Sequence, residues 1–464
     1  MSLLSSWNEK VLGLGPASRR LYFGAQTPKS NSVLLAYAAA LLDDARSGES
    51  AAAGAQPTAP TLRQTLGDLL DDLKNTPEDL KSFVSEFTEK QPKILPGDTL
   101  TPHERVARHI RFEKADRVAV APQLGFHIAH AGGIPVREFM TRGVKAARAA
   151  RRAWDLYGGF DMLPYAFPAG YLFPFVPDSH TRFWNRWVLP DGDELPKLEE
   201  IPLLAGLQDV LDSGIMPLAR TEGGHLLREL AGMSVQVALY AALTARLFPR
   251  PDLYYPYATA IINHPADLLS FWMGFEPFMM ACATEPARMR EACEAMAPGL
   301  VEAGSISARL MGSKNVLYGV SRVSGSYISR KMFDDLFAGT FKMQIEMLHA
   351  QGYTIAYHLD NNYDAMLDFF LELPRHSGFM HLDQTDLFKA KKVLHGHLCL
   401  MGNLHPGLAA TGAPVAVEAA CARLIKEVGA GGGFILSNAC ETPKNMPPDN
   451  LRARKRAVDR WGWV

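Results

Sequence analysis

Residues 353–362 read YTIAYHLDNN, a mostly apolar run of strand-forming residues that ends abruptly in His358, Asp360, Asn361 and Asn362. Side chains two apart on a strand leave from the same side, so His358 and Asp360 face one point in space if the strand persists that far. Residues 433–441 (GFILSNACE) repeat the pattern, a short buried-looking strand running out into Ser437, Asn438, Cys440 and Glu441. Imidazole, carboxylate and thiolate are three of the groups that bind zinc, and three protein ligands with one position open is the catalytic rather than the structural arrangement. The expectation is that the two strand ends meet and that His358, Asp360 and Cys440 converge on one divalent metal, zinc. Taken singly, each has a plainer reading: His358 a satisfied core histidine, Cys440 a small buried residue, Asp360 a turn-capping residue before Asn361. Glu441 either completes the metal site or is solvated. His381 and Asp383, again two apart at a strand end, are expected to line the same cleft.

Those side chains need a scaffold, and the order of elements suggests one. From residue 101 onward, strand signals at 116–122, 160–163, 315–320, 354–358, 378–383, 398–401 and 433–436 are interleaved with helical stretches at 101–112, 136–157, 329–351, 362–373, 386–395 and 414–428. Residues 199–313 read mainly as helices. Strand–helix alternation implies parallel strands joined by right-handed crossovers. Polar residues recurring at the far ends of strands are the mark of an α/β barrel, in which functional groups sit at the C-terminal face. The expected fold class is therefore α/β, a (β/α)8 TIM barrel over residues 100–464 with an N-terminal helical extension; a doubly wound open sheet is the competing architecture. The run of glycines at 429–433 follows a helix and opens a strand, the reverse of a phosphate-binding loop, and reads as a turn.

Residues 1–95 have a different character. Helical spacing at 31–46 and 61–89 flanks a small-residue, proline-containing linker near 48–60, and the segment reads as a packing or homodimer-forming extension. Residues 164–198 are rich in proline and aromatics, with a hairpin expected around 190–193, and read as a roof over the cleft. Phe126, Tyr165, Phe167, Tyr171, Phe173 and Trp184 together suggest an apolar cleft able to take an aromatic ring.

Bulk properties exclude several classes. The 464 residues are 47% hydrophobic and 21% charged, with 48 basic against 49 acidic residues and a formal net charge of −1, which favours neither nucleic acid nor an anionic membrane surface as partner. The longest apolar run, 271–283, is too short to span a bilayer. The first residues lack a basic stretch followed by an apolar core, so no secretory signal is read. Five scattered cysteines without a CxxC pair argue for a reducing, cytoplasmic setting.

The motifs carry a family resemblance. Met401-Gly402-Asn403-Leu404-His405-Pro406-Gly407-Leu408, then Gly432-Gly433-Phe434-Ile435-Leu436-Ser437, and Pro443 with Pro448-Asp449-Asn450-Leu451 resemble the uroporphyrinogen decarboxylase superfamily, over roughly residues 101–463. The resemblance implies a (β/α)8 barrel with a deep cleft and two possible branches. Decarboxylases of the family grip propionates with arginines near the first strand; here the matching segment is Ala121-Pro122-Gln123-Leu124-Gly125-Phe126-His127, with no arginine until Arg137. The corrinoid-dependent methyltransferases hold zinc through His-x-Cys and a later Cys. This chain matches at His358 and Cys440, 80 residues beyond position 360 (440 − 360), and departs where Asp360 replaces the middle Cys.

What the resemblance implies is a metal-dependent methyltransferase, a demethylase, that moves a methyl group from a small, methoxylated aromatic substrate to a corrinoid (cobalamin) protein. The chain has no Asp-x-His-x-x-Gly corrinoid motif, so the corrinoid would be carried by a partner. A carboxylate in place of one thiolate makes the site harder and better suited to an ether oxygen than to a soft sulfur. Phe126, Tyr171, His381, Asp383 and Asn403 are the expected substrate-binding residues; Asn403 also reads as holding its own loop. The alternatives are a cofactor-free decarboxylase and a non-catalytic family member.

Overall fold

The computed structural model describes residues 16–23, 94–163, 185–188, 197–200, 204–214, 254–310 except 259, and 314–463, with a few isolated positions besides. Eleven strands lie among them: β1 (Ala119–Val120), β2 (Met162–Leu163), β3 (Asn185–Val188), β4 (Lys197–Glu200), β5 (Tyr255–Pro256), β6 (Ala260–Asn263), β7 (Asn315–Val320), β8 (Thr354–Leu359), β9 (Gly378–Leu382), β10 (Cys399–Leu404) and β11 (Phe434–Asn438). Seven form one sheet in the order β1-β11-β10-β9-β8-β7-β6, every pair parallel. Parallel neighbours need a crossover, and the helices between successive strands supply it.

The first strand in the chain therefore lies against the last. β2 and β5 form a separate parallel pair. Backbone bonds tie that pair to β1: the Asp161 N–H donates to the Val120 carbonyl at 2.9 Å, and the Tyr255 N–H to the Asp161 carbonyl at 3.3 Å. Beyond β5 the same segment becomes β6, the other edge of the seven-stranded sheet. This succession is consistent with the expected (β/α)8 barrel, and the α/β class with a parallel central sheet is plain.

Side-chain alternation sorts the core into two layers. Tyr318, Val320, Ile355, Tyr357, Leu359, Met380, Leu382 and Leu436 pack with the helices. Ala119, Ile261, Leu317, Ala356, Phe379, Met401 and Ile435 form the other layer, joined by Val106 and Ile110 of helix Pro102–Arg111. All six residues of β7 and all five of β11 are buried, as in strands covered on both faces.

The structure departs from the sequence expectations in definite places. The helix expected over 136–157 is two, Val136–Thr141 and Gly143–Tyr157, because Arg142 takes an extended conformation (φ −125°, ψ 91°) beside Gly143, a poor helix former. The helix expected over 329–351 is broken at Phe337, and 362–373 forms two short 3-10 turns instead of a helix. β5 and β6 fall where helices were expected. Helix Pro16–Phe23 lies against helix Pro286–Leu310 so closely that a Cβ on Gly299 would sit 2.6 Å from the Leu21 Cβ and 2.7 Å from the Ala17 carbonyl oxygen. That helix was not expected; the helices expected over 31–46 and 61–89 and the linker near 48–60 lie outside the described residues, two isolated positions aside. β3 and β4 pair antiparallel, as the hairpin expectation has it; its tip at 190–193, with Tyr165, Phe167, Tyr171, Phe173 and Trp184, lies outside them too. The 429–433 turn is a turn: Gly431, Gly432 and Gly433 all have positive φ, and a side chain on Gly433 would collide with the Phe112 ring.

A buried ionic knot secures the junction of β1 and β2. Asp161 accepts from Arg105 Nη1 at 2.6 Å and from Arg117 Nη1 and the Val120 N–H at 2.7 Å each. Arg105 also pairs with Asp116, and Arg117 with Asp98, each at 2.6 Å. Burial opposes every one of these charges, and the interlocking guanidinium–carboxylate contacts outweigh it, holding Asp161 below the usual carboxylate range. Removing one member strands the others: Asp161→Ala is expected to lower the unfolding free energy by about 3–5 kcal/mol, measured by urea denaturation. A loss below about 1 kcal/mol, the worth of a surface pair, would show that the knot is not a buried one.

Candidate metal centre

β8 carries Ala356, His358 and, one step past its end, Asp360 on the face away from the helices. The Asp360 N–H still donates to the Val320 carbonyl at 3.2 Å, so the ladder holds as far as the carboxylate. The chain then turns at Asn361, which has φ 68°, a conformation asparagine tolerates better than most residues. The Asp383 carboxylate accepts from the Asn361 N–H at 3.1 Å, and the Asn361 amide donates to the Ser321 carbonyl at 3.1 Å. Cys440 comes from the turn after β11. That turn is pinned by the Ala439 N–H on the Leu404 carbonyl at 3.1 Å, by Asn438 on the Thr442 hydroxyl, and by the Thr442 N–H on the Gln123 carbonyl at 2.6 Å.

These loops bring three donors together. His358 Nε2 lies 3.2 Å from Asp360 Oδ1 and 3.5 Å from Cys440 Sγ, and all three donor atoms fall within 4.8 Å of one another. Ligands at zinc bond lengths on tetrahedral corners are separated by about 3.3–3.7 Å. The donor set of nitrogen, oxygen and sulfur and its spacing therefore fit a zinc-type ion. All three residues are half-buried, so the donors face a hollow that solvent still reaches.

The ring of His358 is held from behind. Tyr257 Oη is 2.9 Å from His358 Nδ1 and 2.8 Å from His381 Nδ1, and His381 Nε2 is 3.1 Å from the Asn438 carbonyl oxygen. Burial opposes charge on His358, but Tyr257, the Asp360 carboxylate and Cys440 around it prevail and keep its pKa well above the ordinary value. Burial also opposes ionisation of Asp360, and the His358 ring against it wins, lowering its pKa. Burial pushes the Cys440 thiol up to about 11, the Tyr257 phenol up to about 12 and His381 down to about 3. Glu441 is raised, chiefly by desolvation.

The other expected site residues fare differently. His381 does not line an open cleft: it is 1% exposed and both its ring nitrogens are engaged. The Asp383 side chain and backbone carbonyl are committed to holding Asn361 and Asn403, and the Asn403 amide donates to the Asp383 and Thr385 carbonyls at 3.2 and 2.8 Å, the loop-holding role. Phe126 is half-buried against Phe139 and follows Gly125, where a Cβ would meet Glu441 Oε2 at 2.2 Å. Tyr171 lies outside the described residues. Tyr257 has no counterpart in the sequence expectations, because the segment that holds it, between β5 and β6, reads there as helix.

Comparison with known proteins bears on the family and the fold. The family model described as uroporphyrinogen decarboxylase (URO-D) matches residues 258–461. A solved structure of a methyltransferase from Methanosarcina mazei superposes with a TM-score of 0.58 at 14% sequence identity, over 78% of this chain and 99% of that one. No curated protein matches the chain by sequence. The resemblance to the uroporphyrinogen decarboxylase superfamily is thus borne out; the likeness to the methyltransferase is one of fold.

A divalent ion must displace the proton of the Cys440 thiol, whose pKa burial pushes up to about 11, and the raised pKa of His358 adds to that competition, whereas the lowered pKa of Asp360 does not. Raising the pH weakens this proton competition, so zinc affinity is expected to rise by at least about tenfold between about pH 6 and pH 7. Chelator competition at the two pH values checks it. A pH-independent affinity would mean that the donors are not those three.

Proposed function

We propose that this chain is a metal-dependent methyltransferase that takes a methyl group from a small methoxylated aromatic compound and passes it to a corrinoid carried by a separate protein. The single observation behind the reading is the convergence of His358, Asp360 and Cys440 at the C-terminal ends of parallel strands, where barrel enzymes place their chemistry. A zinc ion held by them would supply Lewis acidity to the substrate's heteroatom, the reduced corrinoid being the methyl acceptor.

The protein's own residues account for the rest. The three donors leave one side facing the hollow, where a substrate atom can approach. Asp360 in the middle position favours a hard oxygen over a thiolate. Phe126 offers an aromatic edge beside Gly125, and Gly125 lets the chain pass close to Glu441. The Asp360 and Glu441 carboxyls speak against the decarboxylase reading, because a tetrapyrrole bearing several carboxylates would meet like charge where it needs cations.

Purified protein is expected to hold stoichiometric zinc and, with a reduced corrinoid acceptor, to demethylate methoxylated aromatics, followed by the absorbance change on corrinoid methylation. Cys440→Ser is expected to weaken zinc binding by about 10–100-fold and to abolish transfer. Asp360→Cys keeps the metal and shifts preference from O-methyl towards S-methyl substrates. Full activity in a chelator, with no metal bound, would sink the proposal.

A further inference from the structure

The contact chain behind His358 has a direction, and its far end sets it. A carbonyl oxygen only accepts hydrogen bonds, so His381 Nε2, 3.1 Å from the Asn438 carbonyl, carries a hydrogen. The Tyr257 hydroxyl has one hydrogen to share between His381 Nδ1 at 2.8 Å and His358 Nδ1 at 2.9 Å. If it donated to His358, His381 would need hydrogens on both nitrogens and would be a cation at 1% exposure, packed against the ring of His358 at 5.2 Å. Burying such an uncompensated charge is costly. The remaining arrangement has Tyr257 donating to His381 and accepting from His358 Nδ1–H. His358 then keeps its hydrogen on Nδ1, which leaves Nε2, the nitrogen that faces Asp360 and Cys440, as the one to take a metal in exchange for the proton it shares with Asp360.

We infer that Tyr257 and His381 are positioning residues that fix the tautomer and orientation of His358, so that Nε2 is presented to the metal before any metal arrives. The inference rests on the metal-site reading above and adds to it a supporting pair that ligand spacing does not reveal. Tyr257 is 2% exposed and its ring lies against those of Phe379 and His381, so the hydroxyl is held in place by packing as well as by its hydrogen bonds. Outer partners of a metal-binding histidine raise its basicity and hold its ring, and their loss costs about 10–100-fold in metal affinity.

The test is zinc affinity, read by chelator competition on the full-length protein, for wild type, Tyr257→Phe, His381→Leu and His381→Gln. Glutamine can accept from Tyr257 through its oxygen and donate to the Asn438 carbonyl through its nitrogen, preserving the direction of the chain. The expected result is a loss of about 10–100-fold for Tyr257→Phe and His381→Leu, with His381→Gln staying within a few-fold of wild type. Thermal melting of the metal-free proteins separates this from general damage, since a purely structural role would lower the melting point of both His381 variants alike and leave their affinities level. Wild-type affinity in folded Tyr257→Phe, or equal losses in His381→Gln and His381→Leu, would overturn the inference. A wild-type protein that binds no zinc would overturn the metal reading as well, so the two failures are distinguishable.

Discussion

The register of β8 between its neighbours decides where the functional groups of this chain point. His358 lies level with Gly319 on one side and His381 on the other, and Ala356 level with Leu317 and Phe379. A slip of one residue would turn Tyr357 and Leu359 towards the hollow and His358 into the helix layer. Large apolar side chains on the helix side, Ile355, Tyr357 and Leu359, forbid that slip because each is fully buried there. Hydrophobic packing on one face thus aims the polar groups on the other. Gly319 contributes at the same level: a Cβ there would come within 2.9 Å of the Asn263 amide, so the strand beside His358 has no side chain to spare.

The sheet treats buried polarity in two opposite ways. Near the start of β1, the guanidinium groups of Arg105 and Arg117 and the carboxylates of Asp98, Asp116 and Asp161 are mutually bonded. Such a knot binds elements together and has little left to offer a ligand. At the other ends of the strands the donors are only partly matched. His358, Asp360 and Cys440 touch one another, yet all three are only half-buried, so their donor atoms are not closed off. Here Val320, Asp383, Ser321 and Leu404 hold the loops, and Tyr257 holds the ring.

Much of this is legible in the sequence, for physical reasons that also explain what is not. β7, β8 and β11 are runs of strand-forming residues with polar ends, and the side-to-side alternation of a strand needs no tertiary information to place His358 with Asp360. The placement of Cys440 beside them, by contrast, rests on the family resemblance, since nothing local relates position 440 to position 358. β5 and β6 escape notice because a short apolar run such as 258–263 has no periodicity to separate strand from buried helix. With them goes Tyr257, which looks like any other aromatic until the strand is known. Helix breaks at Arg142 and Phe337 are likewise tertiary choices, with no proline at either position to announce them. His381 was legible as a strand-end residue on the right face, but its burial and its two engaged nitrogens depend on Tyr257 and on the Asn438 carbonyl, both supplied from elsewhere in the chain.

The pairing of β1 with β11 has a bearing on how the protein is made. The Ser437 hydroxyl donates to the Ala121 carbonyl across a separation of 316 residues, and the two-residue β1 has its parallel partner only there. Ribosomes add about 5–20 residues per second, so β1 emerges roughly 15–60 s before the strand that completes it. Throughout that interval the side of β1 that meets β11 lacks its partner strand. The sheet cannot close co-translationally from its beginning; the nascent chain must carry that open edge until β11 has left the tunnel. An interval of that kind invites either a holdase or a temporary partner from the chain itself, and it makes β11, rather than β1, the strand at which the nascent protein commits to its native topology.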